Sequence, residues 1–348
     1  MEKVKFGVIG MGNMGSLHAE NLLKMREVYL KVIYDIDVKK ASYLARMLGI
    51  PNVAASWEEV MDDPEIDAIV IAVPTVLHYE IISSAIKSGK RWIFTEKPLT
   101  HNLESAKELL KLVEKNNTKL QVGFNRRFDH NYKKIHDIVK GDKIGEIHII
   151  RDITRDPEIH GVDFLTSSGG LFYDIFIHEF DIVRYITSQE VERVYAVGSV
   201  KWEPRIKELG DYDTAVVLLE MSGGAIAVIE GSMKSVYGYD QRLEVFGSKG
   251  SILILNDRET ATALTDANGL LLDKPLQDVP PHRPLMHTKH RYEESYFEEL
   301  YEFVRCIFEN KTPLPTAEDG YKANLVAECA KISSKENKPI LVGNLKGI

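Results

Sequence analysis

The chain of 348 residues is 44% hydrophobic and 28% charged, a composition typical of a soluble globular protein with about two domains. A net charge of −8 without a long basic run argues against nucleic acid as the main partner. The cysteines lack metal-binding spacing, no apolar run approaches the ~20 residues that span a bilayer, and the N-terminus enters a strand without a signal peptide. We therefore expect a cytoplasmic protein without a membrane partner.

Up to residue 122, short apolar runs alternate with segments of helical periodicity. Strands are predicted at Val4–Ile9, Leu30–Tyr34, Ala68–Val73, Trp92–Phe94 and Leu120–Val122. Helices are predicted at Met14–Lys24, Val38–Leu48, Tyr79–Ile86 and Leu103–Glu114, with a further short helix opened by a capping box of Ser56 and Glu59. Nearly continuous apolar strands that alternate with helices predict a parallel sheet covered on both faces.

Beyond residue 123 a helix is predicted at Tyr132–Val139, then a strand at Glu146–Arg155, then a helix that follows a glycine pair and contains YDIFIHEFDIV (173–183). Further strands are predicted at Val191–Val200, Thr214–Met221, Ala225–Met233, Arg242–Phe246, Ile252–Leu255 and Thr260–Thr265. Hairpin turns are expected at SGG (222–224), SKG (248–250) and DANG (266–269), and helices at Tyr292–Glu309 and Ala317–Ser334. We expect an α/β protein with one domain over 1–122 and, over 123–348, an α/β domain on a large open, mainly antiparallel sheet.

The first strand runs into a GxGxxG pattern with Gly10, Gly12 and Gly15, and the first helix follows directly. Dinucleotide binding requires this context. The first glycine allows a tight turn, the second lets the backbone approach a pyrophosphate, and the third lets helix and strand pack closely. Because the helix N-terminus then faces the phosphates, we expect this loop, including Asn13 and Met14, to bind the cofactor of a Rossmann domain.

Asp35 ends the second strand, about 20 residues after the glycines. A carboxylate there accepts hydrogen bonds from the ribose hydroxyls and repels a 2′-phosphate, so NAD is favoured over NADP. FAD is the other dinucleotide to consider, but polar groups suited to redox chemistry elsewhere in the chain favour a nicotinamide cofactor.

The tripeptide Glu96-Lys97-Pro98 stands at the carboxyl end of a predicted parallel strand. Most such tripeptides are loops with a solvated lysine. This one lies at the edge where open α/β sheets bind ligands, so we treat it as part of a candidate site.

The helix after the glycine pair carries polar groups within a largely apolar sequence. Asp174 and His178 are four residues apart and share a face, and Asp181 follows three residues later. A lone histidine there is more often structural, but three buried polar groups each need a partner. Metal binding is disfavoured because the HExxH pattern is incomplete, so an acid–base site is preferred. Asp181 either supports His178 or pairs with Arg184 or Arg155.

Over essentially its whole length the sequence resembles the Gfo/Idh/MocA oxidoreductases, and within that family the inositol 2-dehydrogenases. The resemblance rests on GMGNMG (10–15), EKP (96–98), QVGFNRRFD (121–129), the GG and DIFIHEFD segments within 169–181, and SVYGYDQRLEVFGSKG (235–250). It implies a Rossmann domain and a second domain whose open sheet is often used for tetramer assembly.

The resemblance also implies catalytic roles. His178 would remove the proton from a ring hydroxyl while hydride leaves the same carbon for the nicotinamide. Lys97 would donate a hydrogen bond to the oxygen, stabilising its developing charge, and Asp174 would hold His178 or the substrate in register.

Binding roles follow from the same resemblance. Thr75, His78 and Glu96 are expected around the nicotinamide half of the cofactor. The residues expected to line a polyol pocket are Asn125, Arg126 and Tyr239, with Arg155 and Asp156 on a looser match. No metal is expected. The alternatives are an aldose or other sugar dehydrogenase, and a dinucleotide-binding sensor without catalysis, although the presence of Lys97 and His178 argues against a sensor.

The strand Thr214–Met221 is largely apolar on both faces, because Val216 and Leu218 alternate with Val217 and Leu219. One face therefore needs cover beyond a single layer of helices, which predicts a homo-oligomer, a tetramer by resemblance. Cover by the C-terminal helices alone is the alternative.

Overall fold

The computed structural model describes residues 3–159, 161, 165, 167–254, 263–266, 269–272 and 291–345. By its internal contacts the chain divides into two units. The first unit comprises Met1–Asn125 and Glu294–Asn324, and the second comprises Arg126–Glu293 and Leu325–Ile348. The domain boundary expected at residue 122 placed the whole C-terminal part in the second domain, whereas residues 294–324 pack with the first unit.

The first unit contains a six-stranded sheet. Its strands are β1 (Val4–Ile9), β2 (Val28–Tyr34), β3 (Asn52–Val53), β4 (Ala68–Ile71), β5 (Trp92–Glu96) and β6 (Lys119–Gly123). Its first helices are α1 (Asn13–Leu23), α2 (Val38–Leu48), α3 (Trp57–Asp62), α4 (His78–Lys87) and α5 (Leu103–Asn116). Ser56 accepts a hydrogen bond from the Glu59 N–H at the start of α3, as the capping box predicts, whereas the Glu59 carboxylate accepts the N–H of Ala55 and not that of Ser56. Of the elements named in this paragraph, the two-residue β3 was not predicted.

The remaining elements follow in chain order. The helices are α6 (His130–Lys140), α7 (Leu171–Asp174), α8 (Ile177–Thr187), α9 (Arg205–Glu208), α10 (Glu293–Glu309) and α11 (Ala317–Glu336). The strands are β7 (Ile147–Arg155), β8 (Val191–Ser199), β9 (Thr214–Met221), β10 (Ile226–Ser232), β11 (Asp240–Gly247), β12 (Gly250–Ile254), β13 (Ala263–Asp266), β14 (Gly269–Leu272) and β15 (Ile340–Leu341). The predictions missed α9, β14 and β15, and residues 255 and 260–262 of two predicted strands lie outside the described residues.

In the first sheet the strand order is β3-β2-β1-β4-β5-β6, and all neighbours are parallel. The carboxyl ends of all six strands therefore meet at one edge. The order reverses between β1 and β4, which is the place where open α/β sheets bind their ligands.

Helix α10 belongs to the core of the first unit. Its Leu300, Phe303 and Val304 are buried in the same apolar cluster as β1, β2, β4 and β5. The Phe303 ring lies 6.2 Å from that of Phe6 and 6.0 Å from that of Phe94, edge to face. This packing explains why a segment nearly 300 residues along the chain joins the first unit.

The second unit is built on a nine-stranded sheet in the order β14-β13-β12-β11-β7-β10-β9-β8-β15. Among the described strands, β7 and β10 are parallel neighbours and the other neighbours are antiparallel. The expected large, mainly antiparallel sheet is thus confirmed. The three strand pairs that flank the predicted hairpin turns are antiparallel neighbours.

The two faces of this sheet differ in burial. In β9, Val217 and Leu219 are fully buried, while Val216 and Leu218 are 45% and 38% exposed. Other large apolar side chains on the exposed face are Val197, Ile226 and Phe246. Among the described helices, none is long and apolar enough to cross a membrane.

The prediction of a single continuous helix around YDIFIHEFDIV is wrong. Helix α7 ends at Asp174 and α8 begins at Ile177. Between them the Phe176 N–H bonds to the Leu171 carbonyl, five residues back, and the His178 N–H bonds to the Ile175 carbonyl, three residues back. The change of hydrogen-bond spacing interrupts the helix, so the side-chain register expected for one continuous helix does not carry across this break.

Candidate active site

The glycine-rich loop connects β1 to α1 and has the geometry of a phosphate-binding turn. Gly10 has a φ of 91°, and a Cβ there would lie 2.4 Å from the Ala72 carbonyl oxygen. A Cβ on Gly15 would lie 1.8 Å from the Gly10 carbonyl oxygen. At Gly12 a Cβ would meet no protein atom within 4 Å. Gly10 and Gly15 are therefore needed for the close packing of the turn, whereas Gly12 leaves open space over the loop.

The N-terminus of α1 is suited to an anion. No side chain caps it, and its first turn contains no acidic residue. Its unpaired N–H groups and the helix dipole favour a phosphate at this point. The open space at Gly12 and the uncapped helix end fit a dinucleotide pyrophosphate.

Asp35 follows β2, next to the loop. One carboxylate oxygen accepts the Met11 N–H at 2.7 Å and the other accepts the Asp37 N–H at 2.9 Å. These bonds hold the carboxylate beside the glycine-rich loop. A carboxylate oxygen can accept more than one hydrogen bond, so ribose hydroxyls remain possible donors.

Thr75 and His78 follow β4, and both are buried. The His78 ring nitrogens lie 2.8 Å from the Pro98 carbonyl oxygen and 3.0 Å from the Val73 carbonyl oxygen. Burial lowers the pKa of His78, which keeps the ring neutral. A neutral imidazole has one N–H, so one of the two ring nitrogens donates to the carbonyl that it faces, and His78 lies between the end of β4 and the Glu96-Lys97-Pro98 segment.

Glu96 and Lys97 stand at the end of β5, with Glu96 buried and Lys97 half-buried. Glu96 Oε1 lies 2.5 Å from the Nε2 atom of His18 on α1. Glu299 of α10 lies near both residues. One side-chain N or O atom from each of His18, Glu96 and Glu299 lies within 4.8 Å of the other two.

The predictions omitted His18 and Glu299, although the sequence contains a signal for each. His18 stands four residues before Leu22 on the buried face of α1. Glu299 stands three residues after Tyr296 and four before Phe303, also on a buried face. Helical periodicity therefore predicts burial of both side chains, but it does not pair them with Glu96.

Asn125 follows β6, so it belongs to the same carboxyl edge of the sheet. Its amide nitrogen lies 3.2 Å from the Ser295 hydroxyl, and its side chain is buried. The edge thus brings together residues that follow five strands: the loop after β1, Asp35, Thr75, Lys97 and Asn125.

In the second unit, Asp174 ends α7 and His178 lies in the first turn of α8. The start of α7 is fixed by Asp211, whose carboxylate accepts the Leu171 N–H at 3.0 Å. A Cβ on Gly170 would lie 1.9 Å from that carboxylate, so glycine is required there. Asp174 is 9% exposed and His178 is half-buried.

A buried ion pair anchors α8 beside His178. Arg126 is hydrogen-bonded to Glu179, the residue after His178, and the two side chains are 3% and 0% exposed. Tyr239, also buried, lies 3.5 Å from an Arg126 terminal nitrogen. Burial, and then the charge of Glu179, raise the pKa of Asp152 well above its ordinary value, so Asp152 is neutral in this cluster. Arg126, which was expected to line the polyol pocket, is thus buried and paired with Glu179.

Asp181, whose role was left open, has a structural partner. Arg127 donates to both of its carboxylate oxygens, at 2.7 and 2.5 Å. Arg184 lies 3.8 Å away, as one alternative expected. Asp181 therefore anchors α8 to the segment after β6.

Arg155, which was expected on a looser match to line the polyol pocket, lies at the end of β7. Strand alternation places Arg155 on the face opposite to Asp152 and Thr154, which are buried. Its guanidinium pairs with Glu230 and Asp240 on neighbouring strands. Asp156 follows, with its N–H bonded to the Ser232 carbonyl.

Comparisons with known proteins agree with this geometry. Residues 4–124 match the oxidoreductase family with an NAD-binding Rossmann fold, and residues 132–253 match the GFO/IDH/MocA C-terminal domain. The myo-inositol 2-dehydrogenase of Thermotoga maritima is 39% identical, covering 99% of this chain and all of the relative. The chain therefore belongs to the GFO/IDH/MocA oxidoreductase family and has an NAD-binding domain.

Two solved structures are similar over the whole fold. A myo-inositol dehydrogenase from Corynebacterium glutamicum superposes with a TM-score of 0.86 at 31% identity, covering 97% of this chain and 98% of that one. A scyllo-inositol dehydrogenase from Lactobacillus casei, with bound NAD(H) and scyllo-inositol, gives 0.85 at 26% identity, covering 98% and 100%.

The open space at Gly12 leads to a first prediction. Gly12→Ala should fold normally, because its φ of −69° suits alanine and the Cβ meets no protein atom. The methyl group should nevertheless weaken NAD binding at least about tenfold, since it occupies the approach to the pyrophosphate. Calorimetric titration with NAD measures this, and Gly343→Ala, another glycine with open space, is the control. Unchanged affinity would contradict the assignment of the loop.

The buried pair of Arg126 and Glu179 leads to a second prediction. Arg126→Met should lower the free energy of unfolding by about 3–5 kcal/mol, because it leaves the Glu179 carboxylate buried without its partner. Arg151→Met, in a surface pair whose arginine is 66% exposed, should change it by less than about 0.5 kcal/mol. Urea denaturation measures both, and equal effects would show that the Arg126 pair is not buried in solution.

Proposed function

We propose that the protein is an NAD-dependent dehydrogenase that oxidises one ring hydroxyl of myo-inositol, or of a closely related cyclitol, to the ketone. The observation that carries the proposal is the position of Lys97 at the same sheet edge as the glycine-rich loop and Asp35. The substrate class is supported by the similar proteins, which are named as myo-inositol and scyllo-inositol dehydrogenases.

NAD, when bound, supplies the acceptor for the hydride. Lys97 donates a hydrogen bond to the reacting oxygen and stabilises the negative charge that develops there. His178 accepts the hydroxyl proton, since an imidazole can do so near neutral pH, and Asp174 orients the imidazole or the substrate.

The remaining polar residues are proposed to recognise the other ring hydroxyls. Asn125, Asp156 and Tyr239 are the candidates. A ring with a hydroxyl on every carbon requires buried polar partners for specificity, because an unpaired buried donor or acceptor lowers affinity for the wrong isomer. Arg126 and Arg155 support these residues through their ion pairs.

We also propose that the protein is cytoplasmic and forms a homotetramer through the exposed face of the second sheet. Two buried free cysteines suit a reducing compartment. On the exposed face Val197 lies opposite Val216, and Leu218 lies opposite Val228, so the apolar side chains form a continuous stripe. A stripe of this kind is typical of an interface between subunits.

Activity tests the proposal directly. With NAD, the purified protein should produce absorbance at the NADH band with myo-inositol or scyllo-inositol and much less with D-glucose. Lys97→Met and His178→Asn should each lower kcat by about 10²–10⁴-fold, because each removes a group that acts on the reacting hydroxyl. Lys87→Met and His130→Asn, at exposed positions, are the controls. Full turnover in Lys97→Met would refute the mechanism, and turnover of glucose alone would refute the substrate class.

The oligomer is tested by light scattering after size exclusion. Leu218→Lys should shift the mass of the assembly downwards, because it places a charge within the apolar stripe. Met47→Lys, at a residue on α2 that is 66% exposed, should leave the mass unchanged. A monomeric wild type would exclude the proposed assembly.

A further inference from the structure

The end of β5 carries a buried cluster that the proposed reaction does not use directly. His18 of α1, Glu96 of β5 and Glu299 of α10 are 0%, 8% and 0% exposed. They come from three distant parts of the chain, and their ligand atoms lie within 4.8 Å of one another. Three titratable groups buried this deeply must share protons, bind an ion or leave a charge uncompensated.

The distance within the cluster favours a proton over a metal ion. His18 Nε2 and Glu96 Oε1 are 2.5 Å apart, which is a hydrogen-bond distance. Two ligands on one tetrahedral zinc, each about 2.0–2.2 Å from the ion, would be separated by roughly 3.3 Å. His18 Nε2 and Glu96 Oε1 therefore share one proton in a hydrogen bond.

Glu299 differs from its two neighbours. Both of its carboxyl oxygens are buried and have no hydrogen-bond partner among the described residues. Burial, and then the negative charge of Glu96, raise the pKa of Glu299 well above its ordinary value. An ionised Glu299 would place a second negative charge beside Glu96, so the neutral acid is the stable form.

Among the residues that the structure describes, the acidic and histidine side chains grouped with Glu299 are His18 from α1 and Glu96 from β5. Strand β6 supplies the uncharged amide of Gln121, which donates to the Glu299 carbonyl at 2.9 Å. The rings of Phe94 and Tyr296 lie edge to face against His18, at 5.1 and 6.4 Å. This enclosure keeps the local dielectric low and strengthens the bond between His18 and Glu96.

We propose that His18 and Glu96 share a proton in a buried hydrogen bond that fixes the strand end bearing Lys97 to the helix of the glycine-rich loop, with Glu299 beside them as a neutral acid that completes the cluster. His18 and Glu299 are then positioning residues for Lys97, and this part rests on the proposed function. The protonation of Glu299 does not depend on that function.

The protonation is tested by stability, without any substrate. A raised folded-state pKa stabilises the fold fully below the unfolded-state pKa, near 4.5, and this stabilisation is lost as the pH rises through the folded-state pKa. Glu299→Gln mimics the neutral acid and cannot ionise. The Tm of Glu299→Gln minus that of the wild type should therefore rise by about 2 °C or more between pH 5 and pH 8.

Glu298→Gln, the same change at the half-exposed neighbouring residue, should show a flat difference over this range. A flat or falling difference for Glu299→Gln would show that Glu299 is ionised in the folded protein and would overturn its assignment. If the wild type bound one Zn²⁺ ion tightly and His18→Gln did not, the cluster would be a metal site, and the proposed proton between His18 and Glu96 would be wrong.

The positioning role is tested by separating chemistry from binding. His18→Asn, whose amide N–H lies near the former Nδ1 and does not reach the Nε2 position, should lower kcat at least about tenfold while the Kd for NAD, measured by calorimetry, changes less than about threefold. His18→Gln, whose amide N–H can reach the Nε2 position and donate to Glu96, should retain most of the wild-type kcat. Weaker NAD binding at unchanged kcat in His18→Asn would assign the cluster to the cofactor loop instead. Unchanged kcat and Kd in His18→Asn would remove the positioning role.

Discussion

The parallel alignment of the six strands in the first unit is the constraint on which the candidate site depends. Because all carboxyl ends meet at one edge, residues that are far apart in the chain become neighbours there: the loop after β1, Asp35, Thr75, Lys97 and Asn125. The reversal of strand order between β1 and β4 opens a crevice at that edge. The candidate site of this chain therefore depends first on the topology of the sheet.

Buried charges hold the elements that carry the proposed catalytic groups. Glu96 binds His18, Arg126 binds Glu179, and Arg127 binds Asp181, and each bond joins two separate elements. Such pairs gain little net stability over apolar contacts, but losing one partner is costly, so they specify a single arrangement. Lys97 follows Glu96 and His178 precedes Glu179 in the chain, so these pairs also restrict the positions of Lys97 and His178.

Much of the fold could be predicted because its signals are local. Apolar runs, helical periodicity and turn residues placed β1, α2, β9 and the hairpins within a few residues of their observed bounds. The interruption between Asp174 and Ile177 could not be predicted in this way, since the same residues suit one continuous helix. The break lies where the spacing of the backbone hydrogen bonds changes. The adjoining Phe176 ring packs where Gly231 of a distant strand leaves room.

By itself, the sequence determined the local chemistry: a glycine-rich turn before a helix, an acid after the second strand, and a lysine and a histidine in family motifs. The tertiary structure alone decided which polar groups became scaffold. Arg155 faces away from Asp152 because side chains alternate across a strand, and Arg126 is paired with Glu179 inside the second unit. Glu299 meets Glu96 only because the apolar face of α10 completes the first core. Such long-range pairings depend on packing, which local patterns do not contain.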